Sequence, residues 1–235
     1  MGIARHFIAP DDCAKCTLHR SGEFCHLEKD PLDLLSGVGH ITLYPAYATL
    51  LKEGQVSPGV YILCSGRVKL SVDTAAGKTV ILKVAERRQA LGLSTVVTGR
   101  PAPVTATTMD LCQIKFVERD NFKRLMEGDA RIALTCARLL AQEVGGTFDD
   151  VYDLLLARSS TEKLVRLLLS WVADEPHNRN LRVASDFTHE EMAQMIGSSR
   201  ETVTRLLCEM RRKELIRIEG STLVIPNRVA LQAIA

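Results

Sequence analysis

Hydrophobic positions change their spacing twice along the chain. Between about residues 40 and 120 they fall in short runs broken by glycine, among them HITLYPAYATLLKEG, VYILCSG, RVKLSVDTAAG, KTVILKVAERRQALG and TATTMDLCQIKFVE. Val68, Leu70 and Val72 alternate with polar neighbours, the period of a half-buried strand. Gly54, Gly59, Gly66 and Gly77 punctuate the runs where turns need positive φ. The pattern predicts a compact antiparallel β-domain, a roll or barrel. From about Glu118 the period becomes helical: Cys136, Leu140, Val144, Phe148, Val151 and Leu155 recur every three or four positions over more than five turns. The β-domain can cover part of so long a stripe, and a second copy of the chain, paired in parallel, can cover the rest. A helix that spans domains within one chain is the alternative. Gly145-Gly146 inside it predict a kink or a close helix approach.

After about Ser160 the chain turns to short elements in quick succession. SSTEKLVRLLLSWVADE reads as an amphipathic helix with Trp171 packed in a core. Thr188-His189-Glu190-Glu191 is a capping box opening a short helix that buries Met192, Met195 and Ile196 and stops at Gly197. Ser198 or Ser199 starts the next helix, with Glu201 spaced to close a second capping box onto Ser198. Helix, Gly-containing turn and helix make a helix-turn-helix. The alternating segments IRIE and TLVI, joined at Gly220-Ser221, add a hairpin wing. On the second helix Val203, Leu206, Leu207 and Met210 point inward. Ser199, Arg200, Glu201, Thr204 and Arg205 lie at its start and on the opposite side, where a recognition helix meets base edges. Arginine can bond guanine O6 and N7 together, and glutamate can accept from cytosine N4. A solvated helix face with a Glu201–Arg205 pair is the plainer reading of the charges taken singly.

Composition narrows this further. The 235 residues suit one large domain or two ordinary ones, and 46% apolar with 25% charged residues excludes wholesale disorder. No apolar run approaches the roughly 20 residues that span a bilayer. The N-terminus lacks the apolar core of a signal peptide, so a cytoplasmic protein without membrane attachment is expected. Net charge is only +2, so DNA binding must rest on a local patch. Residues 200–217 supply one, with six basic side chains against three acidic. No nucleophile–base pairing, HExxH or phosphate-binding Gly loop points to an enzyme. The fold class is α+β, divided as residues 1–30 (cysteine-rich segment), 31–128 (β-roll sensor), 129–158 (dimerisation helix) and 159–235 (winged helix-turn-helix).

These features together resemble the Crp/Fnr superfamily of bacterial transcription regulators over almost the whole chain. KEGQVSPGVYILCSGRVKLSVDTAAGKTV is similar to that family's cyclic-nucleotide-binding-type β-roll, the long helix to its dimerisation helix, and SSRETVTRLL to its recognition helix. The resemblance implies a homodimer on double-stranded DNA with a palindromic operator, and RNA polymerase as a partner. It makes Arg200, Glu201 and Arg205 base-reading. Members with Arg-Glu-x-x-x-Arg here read TGTGA-type half-sites; the Fnr branch, usually non-basic at the first position, reads TTGAT. Cyclic-nucleotide binders of this superfamily carry Gly-Glu and Arg-Ser in a phosphate-binding stretch. Here stand Gly92-Leu93-Ser94 and Arg100-Pro101-Ala102-Pro103, which argues against a cyclic nucleotide.

Seven cysteines in a chain read as cytoplasmic argue for metal or redox chemistry. Cys13-x2-Cys16-x8-Cys25 with remote Cys112 resembles the Fnr-type ligand set for a [4Fe-4S] cluster, the basis of an oxygen or nitric oxide sensor. Lys15, His19 and Arg20 favour thiolate nearby. A Cys3His zinc site from Cys13, Cys16, Cys25 and His26 stays open, as do reactive thiols, either of them with a small-molecule effector in the β-roll. Cys64, Cys136 and Cys208 read as small buried core residues.

Overall fold

The computed structural model describes residues 13, 16, 24–156, 159–172, 181–184, 187–220 and 222–234, with the backbone alone for 149–156 and 181–184. Lys15, His19 and Arg20 lie outside the described residues. The chain divides into two compact units, residues 1–73 with 82–146, and 147–235 with 74–81.

The first unit opens with a 3-10 turn, Phe24–His26, and helix α1 (Lys29–Val38). Strands β1 (His40–Tyr44), β2 (Thr49–Leu51), β3 (Gly59–Ser65), β4 (Val68–Asp73), β5 (Thr79–Ala85) and β6 (Ala90–Leu91) follow. Helix α2 (Leu93–Thr98), strands β7 (Thr105–Thr108) and β8 (Cys112–Glu118), and helices α3 (Arg119–Gly128) and α4 (Ala130–Leu156) come next. The strands form two four-stranded sheets, ordered β1-β8-β3-β6 and β2-β7-β4-β5, in which β1 with β8, β8 with β3, β3 with β6, β2 with β7 and β7 with β4 pair antiparallel. This is the expected β-domain. Gly54, Gly66 and Gly77 do take positive φ. Gly59 does not; it opens β3, where any Cβ would run into the Val117 carbonyl and the Phe116 ring of β8.

Strand alternation sorts β3 and β8 onto two faces. Tyr61, Leu63, Cys112, Ile114 and Phe116 face a core shared with Leu50, Leu51, Val68 and Ala106 of the second sheet. Val60, Ile62 and Val117 face the other way, into a core closed by Phe24, Leu35, Phe122, Ile132 and Cys136. Phe24 and Phe122 meet edge to face at 5.7 Å, which docks the 3-10 turn. On that same face Lys115, 1% exposed, donates from Nζ to the carbonyls of Ser36 and Gly39 at the end of α1. A buried lysine is tolerated because those bonds replace its water.

The helical run after Glu118 breaks at Asp129, whose carboxylate takes the Arg131 backbone N–H at 2.8 Å and the Arg131 guanidinium at 2.7 Å. The Arg131 side chain pulls the Asp129 carboxyl down to about 2. Along α4 the expected stripe begins buried at Cys136, is half-covered at Leu140, and emerges at Val144 and Phe148, the last 68% exposed. The side chains of Val151 and Leu155 lie outside the described residues. Helix α4 continues through Gly145 and Gly146, where a Cβ would meet open space, so no packing among the described residues demands glycine there.

The second unit comprises α5 (Ser160–Ser170), β9 (Leu181–Ala184), α6 (His189–Ile196), α7 (Arg200–Arg212), β10 (Arg217–Glu219), β11 (Thr222–Ile225) and α8 (Arg228–Gln232). Leu164, Leu168, Met192, Ile196, Leu207, Met210 and Ile225 share one core, against which Trp171, stacked on Phe187 at 4.8 Å, packs.

Candidate functional site

Helix α6 starts as expected: the Thr188 hydroxyl accepts from the Glu191 N–H, and the Glu191 carboxylate accepts from the Thr188 N–H at 2.7 Å. It ends at Gly197, left-handed at φ 63°. Ser199 then caps α7 by accepting from the Thr202 N–H at 3.2 Å. With Ser199 as the cap, Glu201 stands one position too early to close a box, so the one expected onto Ser198 does not form. Its carboxylate is instead held below the usual range by its own backbone N–H, then by the Ser199 hydroxyl and by Arg200. Glu201 therefore stays an ionised acceptor at the solvent edge.

Val203, Leu206, Leu207 and Met210 are buried in the core of this unit. The opposite side of α7 carries exposed Ser199, Arg200, Glu201 and Arg205, with Thr204 half-buried among them. Four of the five predicted residues, Arg200, Glu201, Thr204 and Arg205, line one shallow concavity; the fifth, Ser199, is the N-cap of α7. Thr204 Oγ1 lies 2.8 Å from His189 Nδ1, which ties this face of α7 to the first turn of α6. The ion pair expected between Glu201 and Arg205 runs the other way along the helix: Arg205 reaches Glu209 at 3.9 Å, and Lys213 holds Glu209 at 3.1 Å. Arg211, Arg212 and Arg217 are exposed too, so the basic patch faces solvent. The wing pairs β10 with β11 as predicted, and β9 adds an unforeseen third strand. Four residues are too few for a period to show.

Cys208, expected in the core, is exposed and lines the same concavity as Arg205. Cys136 is buried as expected, and burial pushes its thiol up to about 12. At mildly alkaline pH, well below that value, Cys136 stays protonated and poorly nucleophilic. Alkylation followed by mass spectrometry should therefore label Cys208 first and Cys136 only on unfolding or near its raised pKa.

The remaining cysteines form the second candidate site. The Cys16 N–H donates to the Cys13 carbonyl at 3.1 Å, and the Cys13 N–H to Ser36 Oγ at 3.1 Å. Ser36 in turn accepts from Lys115 of β8, so the Cys13–Cys16 turn is pinned to the face of β8 that carries Lys115. Cys25 follows Phe24 in the docked 3-10 turn. Cys112 lies elsewhere. It is fully buried on the inter-sheet side, its Sγ donating to the Arg67 carbonyl at 3.3 Å and standing 3.6 Å from Asp110. Burial, then Asp110, pushes its thiol up to about 11. Cys64, half-buried at the end of β3, is the thiol beside the N-terminal three. Burial pushes it up to about 12, the Lys115 backbone N–H opposes the rise, and Cys13, Cys25 and Cys16 add to it. Among the described residues no three His, Cys, Asp or Glu side chains already form a metal-holding shell; these thiols are neighbours that an ion would have to draw together.

Residues 41–129 match the family described as cyclic nucleotide-binding domain, and residues 162–234 the Crp-like helix-turn-helix domain. The chain belongs to the Crp/Fnr family of transcription regulators. It is 27% identical over 211 residues to the CRP-like cAMP-activated global transcriptional regulator of Mycobacterium tuberculosis, covering 89% of this chain and 94% of that one. With the cAMP-activated regulator CRP of Haemophilus influenzae the identity is 26%, covering 84% and 89%. Two solved structures share the fold at TM-score 0.70 and 20% identity. One is the c-di-GMP-responsive regulator CLP of Xanthomonas campestris (83% of this chain, 97% of that one) and the other FixK2 of Bradyrhizobium japonicum (84% and 97%). These Crp/Fnr relatives are regulators, not enzymes. The cAMP-activated names run against the expectation that excludes a cyclic nucleotide, an expectation that rests only on the missing Gly-Glu and Arg-Ser side chains. No helix among the described residues is long and apolar enough to cross a membrane.

Proposed function

We propose that this Crp/Fnr regulator binds near-palindromic DNA as a homodimer through α7, reads TGTGA-type half-sites, and responds to oxygen or nitric oxide through a [4Fe-4S] cluster on its N-terminal thiolates. The observation that carries the DNA half is the exposed Arg200–Glu201–Thr204–Arg205 face on a doubly capped helix-turn-helix. The sensor half is supported by Cys13, Cys16 and Cys25, held over one face of the β-domain with a further thiol beside them. Such a cluster, when bound, supplies reactivity toward oxygen and nitric oxide. The protein's part is to anchor three thiolates through Ser36, Phe24 and Lys115, and so to couple the site to α1 and to the core under α4. Two exposed α4 stripes, pairing through Val144 and Phe148, would join two copies, each bringing one recognition helix to a half-site. A site that stabilises the DNA-competent pairing and is lost to the signal is a two-state switch.

The test is the visible spectrum, with iron and sulfide analysis, of protein purified without oxygen. A brown protein with about four irons per chain that bleaches in air is expected; colourless, zinc-containing protein would overturn the cluster. A second reading, favoured by the match of residues 41–129 to a cyclic nucleotide-binding domain, places a cyclic nucleotide in the β-domain as effector. Calorimetric titration with cAMP and cyclic di-GMP separates the two.

A further inference from the structure

A site built on Cys13, Cys16 and Cys25 needs a fourth sulfur from the β-domain, and that sulfur must lie on the face beside which these three stand. Strands β3 and β8 decide which cysteine qualifies. Val60 and Ile62 of β3 and Val117 of β8 lie in the core that contains Phe24 and Leu35, and Lys115, between Gln113 and Val117, reaches α1 on the same side. Cys64 has the same parity as Val60 and Ile62. The register steps from Leu63↔Ile114 to Ser65↔Gln113, so Cys64 is the extra residue of a bulge. Bulges re-aim side chains at sites of function. Cys112 has the opposite parity, with Ile114 and Phe116. A Cβ on Gly66 would stand 2.6 Å from its Sγ, a measure of how closely the inter-sheet core holds it. To join Cys13 its side chain would have to cross the sheet.

We infer that Cys64, not Cys112, is the fourth thiolate of a metal site with Cys13, Cys16 and Cys25. The inference rests on the reading that the N-terminal cysteines hold a metal group, and four sulfurs suit an iron–sulfur cluster or tetrahedral zinc. The Lys115 backbone N–H aimed at Cys64 is the kind of donor that tunes a ligating sulfur.

The test uses the full chain, purified without oxygen and loaded either with iron and sulfide or with cobalt(II). Bound iron, sulfide and visible absorption are read for wild type, Cys16→Ser, Cys64→Ser, Cys64→Ala and Cys112→Ser, with thermal melting by circular dichroism as the fold check. Both Cys64 variants should fall to the level of Cys16→Ser, and Cys112→Ser should keep the wild-type load. Folded Cys64 variants with a wild-type load, or loss in a folded Cys112→Ser, would overturn the assignment. X-ray absorption of zinc-loaded Cys112→Ser decides it without any Cys64 variant: four sulfur neighbours are expected, and three would refute it. If wild type takes cobalt on thiolates but no iron–sulfide, the cluster reading fails while the same comparison on cobalt still judges Cys64. If wild type binds neither, both fall.

Discussion

Arg205→Ala is expected to abolish selective operator binding at ordinary salt. One bidentate arginine–guanine contact is worth about 1–3 kcal/mol. A two-fold dimer loses it at both half-sites, which makes about 2–6 kcal/mol, or roughly 30-fold to more than 10,000-fold in affinity. Glu209, which reaches Arg205 at 3.9 Å, holds the guanidinium over the concavity rather than consuming it, because the pair is exposed and weak. The variant should also lose discrimination at the one base pair it reads. Arg212→Ala, one turn beyond the reading face, should weaken all sequences alike and lower the salt dependence. Fluorescence anisotropy on operator and scrambled duplexes, at several salt concentrations, distinguishes the two. Equal losses on both duplexes for Arg205→Ala would mean that it contacts phosphate and not a base.

Phe24→Ala should destabilise the first unit by about 3–5 kcal/mol, the usual cost of truncating a buried phenylalanine. Phe24 is fully buried, and its edge-to-face contact with Phe122 is all the aromatic support the 3-10 turn shows among the described residues. Removing the ring leaves a cavity between α1, α3 and the sheet and frees Cys25 from its anchor. Denaturant unfolding should show the loss, and metal content should fall with it. Phe122→Ala should cost about as much, and the double variant less than the sum, because touching residues are coupled. A Phe24→Ala protein within about 0.5 kcal/mol of wild type, the range of ordinary surface changes, would mean that the N-terminal turn is not docked.

Most of the fold was legible because its signals are local. Glycine-bounded strands, the Thr188–Glu191 capping box, the stop at Gly197 and the inward set Val203–Leu206–Leu207–Met210 each follow from a few neighbouring residues. The errors arose where the answer depended on a single register step. Whether Ser198 or Ser199 caps α7 decides whether Glu201 can close a box, and the sequence offers both. Cys208 was placed in the core by its apolar character, although one turn beyond Thr204 puts it on the reading face.

Cys64, inferred above as the fourth thiolate, carries no such local signal. VYILC reads as one apolar run, and a strand buried on both faces shows no alternation in polarity. Parity with Val60 and Ile62 was the available signal, and it becomes informative only once the N-terminal turn is known to cover that face. The likeness of Cys112 to the Fnr-type ligand concerns its place along the chain, whereas the inferred assignment rests on the side of β8 from which its side chain leaves.

The proposed function joins an α7 that would read DNA to an N-terminal thiolate site that would govern it. The most direct test is operator affinity by anisotropy for protein prepared without oxygen and measured before and after exposure to air, with a TGTGA-type palindrome as probe. Tight, sequence-selective binding that falls sharply in air is the predicted result. Selective binding of equal strength before and after would contradict the coupling and leave the β-domain as the seat of the signal.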